Sequence, residues 1–379
     1  MNSIPPLDLT QQYRDIAPSV SAAVLDVLSS GQYINGPAVT DFAQQFGNYV
    51  GSPSTVMCNS GTDALYLALR ALEIGPGDEV ITSPFTFIAT AETISAVGAV
   101  PVFVDISLDD FNLDVEQIEA AITPRTKAIM PVHLFGHPVD MTRVMAIAAE
   151  HNLPVIEDCA QATGAQWQGQ QVGSIGQAGC FSFFPTKNLG ACGDGGALTT
   201  ADKNLAATAQ MIAVHGSKVR YYHDAIGINS RLDTVQAAIL SIKLQHLDHW
   251  NQQRQTVANR YHQLLSPIDL IRRPQNSING VAVWNQYTLL IEAAPANSGD
   301  SRDRIRDHLR DQGIICMVYY PIPLHLQAVY ADLPYRQGQF PKAEHAAHQV
   351  LSLPMFPELS ADQQETVVYG LKNALADCL

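Results

Sequence analysis

The chain has 379 residues, room for two domains with sizeable cores, and 46% of them are apolar. Its formal net charge is -14, only 15% of residues are charged, and no Lys/Arg-rich run occurs, which excludes a phosphate-neutralising nucleic-acid surface. The cysteines, at 58, 159, 180, 192, 316 and 378, form no CxxC pair and no zinc spacing, so a metal site is not expected and free, mostly buried thiols are.

The first residues, MNSIPPLDLTQQYRDI, carry no basic segment followed by an apolar one, so they do not read as a signal peptide. No apolar run approaches the roughly 18 residues that span a bilayer. The expectation is a cytoplasmic protein.

From there, strand-like and helix-like segments alternate. Thr55–Cys58 is a short apolar run, and Thr62–Leu72 is helical until Gly75-Pro76-Gly77 stops it. Glu79–Thr82 reads as a strand, Thr86–Val97 as a helix ending at Gly98, and Val100–Val104 as a strand. Ala128–Val132, a helix over Val139–Glu150, and the strands Pro154–Glu157, Cys180–Phe184 and Gly196–Thr199 continue the series. Strands such as Pro154–Glu157 are apolar without alternating, as strands covered on both faces are. The pattern predicts an α/β fold with a mostly parallel central sheet and helices on both faces.

A long helix is expected over Arg231–Trp250. Beyond it the order changes: a strand Tyr287–Ile291, a charged helix Arg302–Gln312 ending at Gly313, a strand Ile314–Tyr319, then helices over Lys342–Leu351 and Ala361–Leu375. This predicts a large domain over 1–250, with an N-terminal arm, and a smaller C-terminal α+β domain over 251–379.

Ligands of open α/β sheets bind beyond the carboxyl ends of the strands. Three features there carry chemistry. Lys187 follows an apolar strand and Pro185, and precedes Gly190 and Gly193-Asp194-Gly195-Gly196. A desolvated lysine loses its proton more easily, and its neutral amine attacks carbonyls; a surface lysine on a turn is the competing reading. Asp158 ends a buried strand, where a carboxylate is costly unless paired, and a pyridinium N–H is one partner that would justify it. A structural cap is the alternative. Asn59-Ser60-Gly61-Thr62 joins a strand to a helix, where free N–H groups attract a phosphate, although Ser60 as a plain helix cap would explain the same residues.

Beyond these, the chain resembles the DegT/DnrJ/EryC1/StrS family of sugar aminotransferases. The likeness runs through Gly31–Pro37, the SGTDAL motif at Ser60, EDCAQ at Glu157, SFFPTKNLG at Ser182, Gly227–Asp233, Tyr320–His325 and Leu353–Pro357. It implies the fold-type-I architecture of enzymes that use pyridoxal 5′-phosphate (PLP), and a homodimer with active sites shared between subunits. By this resemblance Lys187 is the Schiff-base lysine and proton shuttle, Asp158 holds the pyridine nitrogen, and Gln161 bonds the ring hydroxyl. Gly61, Thr62 and Ser182 hold the phosphate, Asn229 reaches it from the other subunit, and Phe87 stacks on the ring. Arg231, Tyr320 and His325 are the expected substrate contacts, Arg231 because its planar fork suits a carboxylate or a phosphate.

The implied reaction moves an amino group from L-glutamate to a nucleotide-linked keto sugar. Asn229–Asp233 and the Tyr320-Pro321-Ile322-Pro323 segment resemble the subgroup acting at C3, on a UDP-linked 3-keto-hexuronate or a dTDP-linked 3-keto-6-deoxyhexose. The alternatives are a 4-keto sugar substrate and a PLP-binding regulator without turnover. Tyr319 stands where several relatives carry histidine, and His215 matches a family pattern that also allows a structural role. A sugar dehydratase would replace Lys187 with histidine, and a desulfurase would need a mobile exposed cysteine, for which Cys192 is the nearest candidate.

Overall fold

The computed structural model describes residues 3–275, 278–292 and 300–378. Two helices precede the first expected strand. Asp8 accepts the Thr10 N–H at 2.8 Å and so caps α1 (Leu9–Ser30), which Gly31 ends at a φ of 68°. Pro37 opens α2 (Pro37–Val50), where its missing N–H costs nothing.

The central elements then follow in order: β1 (Ser54–Cys58), α3 (Gly61–Ala71), β2 (Glu79–Thr82), α4 (Ala89–Ala96), β3 (Val100–Phe103), β4 (Thr126–Ile129), α5 (Met141–His151), β5 (Ile156–Asp158), β6 (Ala178–Ser182), β7 (Gly196–Thr200) and α6 (Lys203–Ala213). One sheet has the order β1-β7-β6-β5 and another β3-β2-β4. Parallel bridges Ile129–Val155 and Val132–Asp158 join them side by side. Only β7 runs against its neighbours, so the sheet is mostly parallel, as expected.

Side chains along a strand point alternately to opposite faces. Val56, Cys58, Cys180 and Leu198 enter a core with Leu65, Leu69, Leu205 and Ile212 of α3 and α6. Met57, Phe181 and Ala197 face the other way, against Phe42 and Phe46 of α2. Phe46 meets Phe181 and Phe183 edge-on, at centroid distances of 5.0 and 5.1 Å. Both faces are covered, which is why these strands carry no polar side.

The expected helix over Arg231–Trp250 is two helices, α7 (Thr234–Leu244) and α8 (Leu247–Leu265). Residues 231–233 are outside both. Ile34 bridges Asp233, the Thr234 N–H donates to Tyr33 O, and Thr234 Oγ1 accepts the Gly36 N–H. Contacts to a distant segment thus hold this stretch extended. Likewise α4 begins at Ala89 rather than Thr86, because the turn after β2 is closed by the Ser83 hydroxyl accepting the Phe85 N–H.

In the C-terminal third, β8 (Ile271–Arg272) and β9 (Tyr287–Ile291) precede α9 (Asp300–Asp311), α10 (Pro341–Gln349), β10 (Val350–Leu353) and α11 (Ala361–Cys378). The strands form an antiparallel sheet in the order β8-β9-β10. The expected helix over Lys342–Leu351 therefore changes to strand at Val350, where pairing with β9 overrides helical spacing. The expected strand Ile314–Tyr319 is reduced to single bridges at Ile314 and Met317. Tyr261, Leu265, Tyr287, Leu289, Ile305 and Leu371 share the core of this region. Among the described residues no helix is long and apolar enough to cross a membrane.

Candidate active site

The carboxyl ends of β1, β2, β5 and β6 converge on one edge of the sheet, where β7 begins. The turn 59–61, the segment 83–87, Asp158–Gln161 and Ser182–Lys187 all leave from that edge. Gly196 belongs to the same place for a packing reason: a Cβ on it would lie 2.3 Å from the Ser60 carbonyl.

Ser60 caps α3 by accepting the Asp63 N–H at 3.1 Å. Among the described residues no acceptor meets the N–H groups of Gly61 and Thr62, so they and the helix dipole stand ready for an anion. Gly61 is required here, because a Cβ would lie 2.7 Å from Ser182 Cβ. Ser182, the last residue of β6, is therefore against the same turn, and its hydroxyl accepts the Phe184 N–H at 3.3 Å.

Lys187 is partly buried, on a turn closed by its N–H donating to Phe184 O at 2.9 Å. Loss of water around its amine brings its pKa down to about 8, and the negative charge of Asp158 opposes that fall. Each residue is therefore within electrostatic reach of the other. Asp158 is buried, which pushes its pKa up; hydrogen bonds from Thr90 and the Ala160 N–H, with the positive charge of Lys187, act the other way.

Gln161 is held with a defined orientation. Its Oε1 accepts the Phe135 N–H at 2.6 Å, leaving Nε2 to donate to the Tyr320 hydroxyl at 3.2 Å. Phe87 is 55% exposed, in the turn before α4, with its ring centroid 6.4 Å from that of Tyr320. Its place in a turn rather than within a helix lets the ring stand free. A cavity of about 110 Å³ opens beside the lysine turn, lined by Thr186, Asn285, Gln286, Met317, Tyr319 and Ser352.

Other expected contacts are placed differently. Asn229 is exposed and its backbone bridges Val214, while the adjacent Ser230 is fully buried. Ser230 Oγ donates to Asp63 Oδ2 at 2.6 Å and accepts the Asn59 N–H at 3.0 Å, tying residues 229–231 to the α3 turn of the same chain. Arg231 is half-buried, with no ion pair among the described residues. His325 is not in an open position: its imidazole is buried against Phe340 and bonded to Glu344 at 3.1 Å. His215 serves a turn, its N–H donating to Ile228 O and its carbonyl accepting from His223. Cys192 is exposed, and its neighbours are α1, Ile239 and Lys243. Cys58, Cys159, Cys180 and Cys316 are buried free thiols, as expected.

Thr90 and Ser230 are neighbours of the site to which motif reading gave no role of their own. The only signal for Thr90 is its spacing of four from Thr86, which stacks two hydroxyls on one side of the chain. Glu157 and His133 form a further buried pair at 3.1 Å. Glu157 also accepts the N–H groups of Gly173, Ile175 and Gly176, so this pair is saturated structure rather than a metal site.

A parallel α/β sheet that gathers a desolvated amine, a buried carboxylate and an anion-ready helix start defines an enzyme of amine and carbonyl chemistry. The chain belongs to the DegT/DnrJ/EryC1/StrS aminotransferase family, whose profile matches residues 14–372. It is 49% identical to a pleiotropic regulatory protein of Geobacillus stearothermophilus, with 97% of each chain covered. It is 46% identical to a UDP-N-acetyl-3-dehydro-alpha-D-glucosamine 3-aminotransferase of Acidithiobacillus ferrooxidans, with 98% of each covered. The crystal structure of Streptomyces venezuelae DesV superposes with a TM-score of 0.94 at 42% identity, covering 98% of both chains. The structure of NtdA from Bacillus subtilis with bound cofactor PMP gives a TM-score of 0.90 at 32% identity, covering 99% of this chain and 86% of that one.

Proposed function

We propose that this protein is a PLP-dependent aminotransferase that moves an amino group from L-glutamate to C3 of a nucleotide-linked 3-keto sugar. The observation that carries the reading is that one sheet edge brings together Asp158, the segment Ser182–Lys187 and the open start of α3, where Gly61 abuts Ser182. The residues fit the cofactor: Gly61 keeps clear a cradle that a Cβ would close, and two N–H groups there lack acceptors among the described residues. PLP, when bound, supplies an aldehyde and a ring that takes up electrons released at a neighbouring carbon.

The protein's own groups divide the work. Gly61, Thr62 and Ser182 hold the phosphate, with Asn229 of the partner subunit added in a homodimer. Asp158 would keep the ring nitrogen protonated, and Gln161 Nε2, which donates to the Tyr320 hydroxyl, would be the group to meet the ring hydroxyl. Phe87, whose ring is exposed, would cover the cofactor ring and keep water from it. Lys187 Nζ accepts a proton from the donor's α-carbon and returns it on the other half of the cycle, so one base serves both substrates. Tyr320, bonded to Gln161, would lie at the ring's edge, and Arg231 would meet a charged part of the sugar nucleotide. His325 acts at one remove, bonded to Glu344 of α10, whose carboxylate accepts the N–H groups of Gly338 and Phe340. The cofactor-binding unit is assigned to residues 1–250 and the smaller unit to 251–379, with the boundary inside α8 and Tyr319 and Tyr320 belonging to the second.

Sugar 3-aminotransferases among the relatives support C3 rather than C4, and both UDP and dTDP nucleotides are represented. The regulatory name of one relative favours a second reading, PLP binding without turnover. One experiment separates these. Purified holoprotein is given glutamate and a panel of UDP- and dTDP-linked 3-keto and 4-keto sugars, and the aminated product is identified. Lys187→Ala should abolish turnover; full activity in that variant refutes the assignment, and wild-type protein inert to glutamate supports the regulator.

A further inference from the structure

Asp158 is held by more than its own strand. Its Oδ1 accepts the Ala160 N–H at 3.1 Å, and its Oδ2 accepts the Thr90 hydroxyl at 2.8 Å. Thr90 is buried in the first turn of α4, and Thr86 Oγ1 lies 3.2 Å from Thr90 Oγ1. A threonine hydroxyl has one proton to give. An ionised Asp158 can only accept, so Thr90 donates to it and Thr86 donates to Thr90. The hydroxyl chain therefore has one direction.

The usual partner of a helical threonine is a carbonyl one turn back. Thr93 on the same helix does that, with Ala89 O at 2.9 Å. Thr90 is turned instead toward a strand end 68 residues away. No other side chain donates to Asp158 among the described residues. His133 is close enough to influence it, but its Nδ1 accepts the Val139 N–H, which commits its Nε2 proton to Glu157. Lys187 acts on Asp158 through its charge and makes no hydrogen bond to it among the described residues, and Cys159, Cys180 and Tyr320, which also feel the Asp158 charge, are neutral.

We propose that Thr90 is a positioning residue whose hydroxyl, oriented by Thr86, aims the Asp158 carboxylate at the ring nitrogen of the bound cofactor. The inference rests on the PLP reading above. Without this hydroxyl, Oδ2 would be left buried and unsatisfied, and the carboxyl group would relieve that state by rotating or by taking up a proton. Either change loosens its hold on the ring nitrogen.

Thr90→Val keeps the shape and removes the hydroxyl, and Thr90→Ser keeps the hydroxyl. Wild type and both variants are loaded with PLP isotopically labelled at the ring nitrogen, whose chemical shift is followed against pH, with the melting temperature as the folding control. The expected result is a protonated ring nitrogen in the wild type and in Thr90→Ser, and a shift toward the unprotonated value in Thr90→Val. Transamination of glutamate by Thr90→Val should fall on the order of tenfold to a hundredfold, the worth of one hydrogen bond to a charge. A folded Thr90→Val holoprotein with the wild-type shift overturns the proposal. If Thr90→Val does not fold, Thr86→Val gives the same reading: a smaller displacement in the same direction is expected, and none overturns it. Wild-type protein that takes up no PLP overturns the cofactor reading instead.

Discussion

Burial sets the reactivity of Lys187, and its size follows from the structure. With the amine brought down to about 8 from 10.5, about a tenth of it is neutral at pH 7, against about three parts in ten thousand for a solvated lysine. Apoprotein should therefore capture an aldehyde at Lys187 roughly 300 times faster than at an exposed lysine such as Lys127, on protonation alone. The assay is stopped-flow absorbance of PLP uptake by apoprotein across pH. The folded value lies below the unfolded one, so reactivity is lost as pH falls through about 8 and is complete well above it. Asp158 opposes the depression, so Asp158→Asn should move the midpoint to lower pH. A wild-type midpoint near the solvated value, or a rise in Asp158→Asn, would refute desolvation as the cause.

Three further outcomes follow from packing. Gly61→Ala forces a Cβ to within 2.7 Å of Ser182 Cβ at the phosphate turn, and equilibrium dialysis should show PLP affinity reduced on the order of tenfold, the counterpart of about 1–3 kcal/mol of overpacking. Glu157→Gln sets an NH2 group against N–H donors of Gly173, Ile175 and Gly176 or against His133, and should cost on the order of 3–5 kcal/mol in denaturant unfolding. A cost under about 1 kcal/mol would show that the cluster is hydrated. Phe46→Ala removes a fully buried ring packed on Phe181 and Phe183 and should lose about 3–5 kcal/mol, while the bound-cofactor spectrum of the folded variant stays unchanged.

The alternation of apolar strands with helices was readable because each strand is covered on both faces, and burial writes itself directly into composition. The three chemical elements were readable for a related reason: Gly61, Asp158 and Lys187 each break the local rule for a buried strand end, one by lacking a side chain and two by carrying charge. Helix limits at Thr86–Ile88 and Arg231–Asp233 were not readable, since they depend on hydrogen bonds to Ser83 and to Tyr33–Gly36 rather than on spacing.

The order of residues by itself determined which segments are buried, where the chain turns, and that lysine, carboxylate and glycine turn lie at strand ends. Local pattern suffices for these, because hydrophobic burial and backbone sterics act over a few neighbours. Only the tertiary structure decided that Thr90 turns to Asp158, that Gln161 presents its Nε2 to Tyr320, and that Ser230 locks Asp63. Each of those contacts joins residues at least 68 positions apart, and a hydrogen bond is directional over about 3 Å, so the fold must bring the partners together before the bond can exist.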